Sequence, residues 1–102
     1  MYKNYNKIYF IGIGGIGMSS IALYFINNGK QVAGYDQAKT DLTKKLSNLG
    51  ANIHYDSSLS EIPKEFKNNN EVLIIYTPAI SLSDVELSFF FDNNFTVLKR
   101  SE

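Results

Sequence analysis

The sequence predicts an α/β fold: one Rossmann-like, doubly wound parallel sheet of about five strands in the order 3-2-1-4-5, forming a single domain over residues 1–102. Three observations predict it. Short, continuous apolar runs alternate with amphipathic stretches, the pattern of strands buried on both faces and linked by helices. The runs stop at turn residues. A glycine-rich turn joins the first apolar run to the first amphipathic stretch.

The elements follow in order. Ile8-Tyr9-Phe10-Ile11 is the first strand and stops at Gly12. After the turn, Met18, Ile21, Ala22 and Phe25 recur at helical spacing, and Asn27-Asn28-Gly29 closes that helix with residues suited to a left-handed cap. Gln31 to Tyr35 is the second strand. A second helix is expected from about Asp41 to Leu49, capped by Thr40 or Asp41, with Leu42, Leu46 and Leu49 as its buried stripe and Gly50 as its stop. Asn52-Ile53-His54 is a short third strand. Residues 56–70 are polar, contain Pro63 and read as loop with one short helix at most. Glu71 to Tyr76 is the strongest strand and ends at Thr77-Pro78. Ser83-Asp84-Val85-Glu86 has capping-box form, so a helix is expected to start there, with Leu87, Phe90 and Phe91 on its apolar face. Asn93-Asn94 ends it, and Thr96-Val97-Leu98 is the fifth strand. Right-handed crossovers between such strands make the pairing parallel.

Gly12-Ile13-Gly14-Gly15-Ile16-Gly17 matches G-x-G-x-x-G in the right context, after a strand and opening a helix. Gly12 lets the chain turn off the strand. Gly14 and Gly15 leave the backbone bare to an anion. Gly17 lets the helix pack closely on the sheet. The first amides of that helix lack internal partners, and the helix dipole adds partial positive charge, so a diphosphate is the natural occupant. The alternative is a tight turn that binds nothing, although such turns rarely need four glycines in six residues.

Asp36 follows the second strand, where an acidic residue bonds a ribose hydroxyl in dinucleotide folds; it is equally placed to cap its own turn. Thr77-Pro78-Ala79-Ile80 lies beyond the fourth strand, at the edge where ligands bind in open α/β sheets; a loop stiffened by proline is the alternative. His54, the single histidine, is a candidate lining the pocket or an ordinary strand-end residue. Phe89-Phe90-Phe91 reads as helix packing with one exposed ring, a ring able to dock a neighbouring domain.

Composition excludes other classes. Ten basic and ten acidic residues cancel, so there is no electrostatic footprint for nucleic acid or an anionic membrane. With no cysteine, disulfides and thiolate metal sites are excluded. The polar start does not resemble a signal peptide, and the longest apolar stretch is too short to span a bilayer, which makes the cytoplasm the expected location.

The stretch Phe10-Ile11-Gly12-Ile13-Gly14-Gly15-Ile16-Gly17-Met18-Ser19 resembles the opening motif of the UDP-N-acetylmuramate–L-alanine ligases, within the Mur ligase family. Gly34-Tyr35-Asp36 resembles the family's G-x-D, Leu49-Gly50-Ala51 its L-G-A, Tyr76-Thr77-Pro78-Ala79-Ile80 its S/T-x-A-I loop, and Lys99-Arg100-Ser101-Glu102 its R-[SA]-E segment. The resemblance covers nearly the whole chain. It implies the N-terminal, UDP-sugar-binding domain of a three-domain enzyme that joins L-alanine to UDP-N-acetylmuramate through an acyl-phosphate, using ATP and magnesium. It implies that Gly12 and Gly14 to Ser19 (Gly14, Gly15, Ile16, Gly17, Met18 and Ser19) embrace the diphosphate, with Asp36 and Thr77, Pro78, Ala79 and Ile80 near the uridine. Many members carry G-H after the third strand; here Ile53-His54-Tyr55-Asp56-Ser57 leaves His54, Asp56 or Ser57 for that role.

The family's ATP-binding loop, G-T-x-G-K-[ST], is not in these 102 residues. The resemblance therefore implies an excised domain that binds no cofactor itself and does not ligate alone, with the ATP-binding and C-terminal domains as its missing partners in cis. Three other readings stay open: an NAD-binding regulatory module, a dehydrogenase fragment, and a relative that recycles murein peptides.

Overall fold

The computed structural model describes residues 5–68 and 70–100. The elements run β1 (Lys7–Ile11), α1 (Ile16–Asn27), β2 (Gln31–Tyr35), α2 (Asp41–Asn48), β3 (Asn52–His54), β4 (Val72–Tyr76), α3 (Val85–Asp92) and β5 (Thr96–Lys99). All pairings are parallel, and the order is β3-β2-β1-β4-β5. The expected architecture is the observed one.

The sheet holds together because β1 and β4 bury both faces. Alternation sends Tyr9, Ile11, Val72, Ile74 and Tyr76 to one side, where Leu87 and Phe90 of α3 meet them together with Phe95. Ile8, Phe10, Leu73 and Ile75 face the other side, against Met18, Ala22 and Phe25 of α1 and Leu46 of α2. Gly29, with φ +76°, ends α1 in the left-handed conformation that its sequence anticipates.

One local expectation is settled and three change. Thr40 caps α2, and its partner is Thr43: each side chain accepts from the other's amide, at 3.2 and 2.9 Å. Thr43 is wholly buried while Leu49 is 46% exposed, because the helix ends at Asn48 and Leu49 falls on the cap. Residues 56–70 hold two 3₁₀ turns, Leu59–Glu61 and Lys64–Phe66. Pro63 between them stops any helix from continuing and keeps Ile62 extended. Ile62 and Phe66 point inward and cover the α3 side of the sheet, where a longer crossover helix would otherwise lie. Finally, α3 begins at Val85, capped by Asp84, whose carboxylate accepts from the amides of Glu86 and Leu87 at 3.1 and 3.0 Å. The capping box expected from Ser83 does not form, and Glu86 turns into the core.

One ring of the Phe89-Phe90-Phe91 run is exposed as expected, but it is Phe91, which the sequence placed on the apolar face: Phe90 is fully buried, and the half-buried Phe89 packs against the core instead. Phe90 stacks against Tyr9 at 5.1 Å and Phe95 at 4.8 Å between ring centroids. Phe90→Ala should lower the unfolding free energy by about 3–5 kcal/mol, read from urea denaturation.

Candidate functional site

The loop between β1 and α1 is held by its own backbone. The amides of Gly12 and Ile13 both donate to the carbonyl of Tyr35, at 2.8 and 3.1 Å. Gly12 has φ +90°, and a Cβ there would overlap the Thr77 methyl group. Glycine is thus required twice, for the left-handed backbone and for the approach of the β4 loop. Ile13 is fully buried and anchors the loop to the α1 side of the core.

Beyond this anchor the chain enters α1 through Gly15, which makes no side-chain cap, and the first turn holds no acidic residue. The Ser19 amide makes the first helical bond, to the Gly15 carbonyl at 2.8 Å. The amides of Ile16, Gly17 and Met18 therefore stand at the helix mouth without intrahelical partners. The side chains of Met18 and Ser19 turn inward, and the Ser19 hydroxyl donates to the Ile16 carbonyl at 2.9 Å. Of these two residues only Met18 leaves its amide at the mouth, since both the amide and the hydroxyl of Ser19 bond within the first turn, whereas the Ile16 side chain projects into solvent, 88% exposed.

The glycines divide the work differently from the simple pattern. Gly14 does not open its amide to a ligand: that amide donates to the Asp36 carboxylate at 2.7 Å. A Cβ on Gly14 would sit 2.9 Å from both Asp36 Oδ2 and the Thr43 methyl, so its bareness admits the protein's own groups. Gly15 is the open position, where a Cβ would meet nothing nearer than 3.6 Å. The space above Gly17 holds the guanidinium of Arg100, not the sheet.

Asp36 caps its own turn, accepting from the Ala38 amide at 2.9 Å, and also ties that turn to the glycine loop. Thr77–Ile80 forms a tight turn, with the Ile80 amide donating to the Thr77 carbonyl at 3.1 Å and Pro78 at the position that favours proline. A cleft of about 240 Å³ lies between these segments. Gly12, Gly15, Asp36, Thr77, Ala79 and Ile80 line it, together with Tyr35 and Gln37, which the sequence reading did not single out. The flanks of Asp36 were the signal for both. The cleft sits beyond the carboxyl ends of β1, β2 and β4, where the strand order reverses. Gly14, Ile16, Gly17, Met18, Ser19 and Pro78 are not among its lining residues.

His54 does not line this cleft. Its ring is buried one layer below, 5.9 Å from the Tyr35 ring between centroids. Its Nε2 lies 2.6 Å from Glu86 Oε2 and 3.2 Å from the Tyr9 hydroxyl. The Tyr9 hydroxyl donates to Glu86 Oε1 at 2.6 Å, and the Ser58 amide donates to Glu86 Oε2 at 3.0 Å. Burial first, and then the Glu86 charge, push the Tyr9 phenol well above its ordinary pKa, so it remains a donor. Tyr35 is raised too, by burial and then by Asp84 and Glu86. His54 Nδ1 is buried and has no hydrogen-bond partner among the described residues. Of the other candidates after β3, Asp56 is exposed and the Ser57 hydroxyl donates to Asp84 at 2.6 Å. Glu86 was missed as a core residue. The available signal was Tyr9, a hydroxyl within a buried strand, which requires a partner.

This sheet and its glycine loop define a Rossmann-like, doubly wound α/β domain. The chain belongs to the Mur ligase family: residues 7–102 match the family described as "Mur ligase family, catalytic domain". It is 46% identical over 97 residues to the UDP-N-acetylmuramate–L-alanine ligase of Cytophaga hutchinsonii, covering 95% of this chain and 21% of that protein. The enzyme of the same name from Parabacteroides distasonis is 45% identical over 94 residues, covering 92% and 20%. Among solved structures, the UDP-N-acetylmuramate-alanine ligase MurC of Thermotoga maritima superposes with a TM-score of 0.80 at 33% identity, over 92% of this chain and 20% of that one. The Neisseria UDP-N-acetylmuramate:L-alanyl-gamma-D-glutamyl-meso-diaminopimelate ligase shares the fold, with a TM-score of 0.78 at 19% identity, over 93% and 28%. The chain spans about a fifth of the length of the curated relatives it matches.

The buried network lends itself to a stability test. Glu86→Ala leaves Tyr9, His54 and the Ser58 amide without their acceptor and should cost about 3 kcal/mol or more in urea denaturation. Tyr9→Phe removes one donor and should cost about 1–2 kcal/mol.

Proposed function

We propose that the chain is the UDP-sugar-binding domain of a UDP-N-acetylmuramate–L-alanine ligase, and that it holds the UDP part of UDP-N-acetylmuramate while the whole enzyme adds L-alanine during peptidoglycan precursor synthesis. The observation that carries this reading is the uncapped mouth of α1, open at Gly15 and set in a family whose similar members carry that name. The amides of Ile16, Gly17 and Met18 receive the diphosphate, aided by the helix dipole. The uridine lies toward Asp36 and the Thr77–Ile80 turn. Asp36 keeps lone pairs for a ribose hydroxyl even while it accepts from Gly14 and Ala38.

In this proposal the chain's part is to bind and orient. ATP and magnesium supply the activation of the sugar carboxylate elsewhere in the full enzyme. The residues here do not fit that pair: among those described, no group of three or more His, Cys, Asp or Glu is placed to hold a metal ion. The sequence also has no lysine-bearing phosphate loop. We assign the enzyme to the cytoplasm as part of this proposal; among the described residues no helix is long and apolar enough to cross a membrane. The position of Asp36 after β2 is shared with NAD-binding domains, so NAD is the informative competitor.

In calorimetric titration UDP-N-acetylmuramate should bind more tightly than NAD, and a preference for NAD would overturn the assignment. Gly15→Glu puts a negative side chain into open space and should abolish UDP-sugar binding while leaving the thermal unfolding midpoint almost unchanged. Retained affinity in that variant would place the diphosphate elsewhere.

A further inference from the structure

We propose that the Tyr35 hydroxyl is a hydrogen-bond donor to the nucleoside of the bound ligand. The inference rests on the reading above that the cleft holds a uridine diphosphate. Tyr35 lines the cleft, yet only 8% of the residue is exposed. Its carbonyl is pinned by the amides of Gly12 and Ile13, and its ring lies 5.9 Å from that of His54 between centroids, so backbone and ring are both fixed. The hydroxyl, by contrast, has no hydrogen-bond partner among the described residues. The one buried polar side-chain atom left unpartnered among those residues is His54 Nδ1, so the Tyr35 hydroxyl is not shut away from solvent. A tyrosine with a buried ring and a free hydroxyl at a cleft is a donor held ready for a ligand.

The place of Tyr35 in the fold separates it from the diphosphate. Its side chain lies on the α3 side of the sheet with Tyr9, Ile11 and Tyr76, whereas α1, whose mouth receives the phosphates, packs on the other side. The charges near the hydroxyl agree. Burial first, and then the carboxylates of Asp84, Glu86, Asp36 and Asp56, raise the pKa of the phenol, so it stays protonated and donates. Four carboxylates acting on this end of the cleft repel a phosphate and favour a neutral nucleoside. That nucleoside carries acceptor oxygens on its base and its ribose. The Asp36 carboxylate accepts only, so it can serve just the ribose donors. A donor and an acceptor side by side at the end of β2 thus divide the nucleoside between them.

The test titrates UDP, CDP, 2′-deoxy-UDP and inorganic pyrophosphate into the wild-type chain and Tyr35→Phe. The variant keeps the ring and removes only an unpartnered hydroxyl, so its thermal unfolding midpoint should match that of the wild type. It should bind UDP roughly three- to tenfold more weakly and change pyrophosphate by less than about twofold. CDP has an amino group in place of the uracil 4-carbonyl, and 2′-deoxy-UDP lacks the ribose 2′-hydroxyl. The nucleotide with which the variant no longer loses affinity identifies the acceptor, and a loss kept with both points to an oxygen that all three nucleotides share. If the wild type binds UDP and Tyr35→Phe binds it equally well, or if pyrophosphate weakens in parallel, the role given to Tyr35 is wrong while the cleft reading stands. If the wild type does not bind UDP, the cleft reading fails, and the Tyr35 proposal fails with it.

Discussion

The left-handed turn at Gly12 is the constraint on which the site depends. It takes the chain off β1 and at once places two amides on the Tyr35 carbonyl, which fastens the glycine loop to the end of β2. The missing Cβ lets the Thr77 methyl move in from the end of β4. One residue therefore brings three strand ends together. With any other residue the backbone is strained and the Thr77 side chain is displaced, so the two walls of the cleft lose their spacing.

Below the cleft the protein holds a polar cluster within a largely apolar core. Glu86 gathers a phenol, an imidazole and a backbone amide from three separate parts of the chain. Such a cluster adds little net stability against a well-packed apolar alternative, but breaking it is costly. Its structural effect is to fasten α3 and the segment after β3 to the middle of the sheet. Tyr35 rests on it from above, so the cleft floor sits on a rigid support.

What was legible in the sequence follows from the range of the forces involved. The bounds of β2 and β3 could be read directly because turn residues bracket short apolar runs, which is local information. The glycine loop was legible for the same reason. The start of α3 was legible but its cap was not: Ser83 and Glu86 have the spacing of a capping box, yet Asp84 offers a charged acceptor one residue on and Glu86 finds stronger partners in the core. His54 looked like a pocket residue because its partners, Tyr9 and Glu86, are 45 and 32 residues away in the chain. The neighbour that demands Gly17 is likewise distant in sequence. The burial of Ile62 and Phe66 reflects tertiary packing that overrides a locally polar stretch.

The two rims of the sheet are built sparingly. β3 contributes only three residues to the ladder, and β5 is a four-residue strand with both end residues, Thr96 and Lys99, exposed. Neither rim offers a long, flat, greasy template on which a stray strand from another molecule can lie down and zip. A lysine on such a border also adds a desolvation penalty to any uninvited neighbour. The sheet is thereby protected against growing sideways into an aggregate, although its hydrophobic centre is among the most β-prone stretches of the chain.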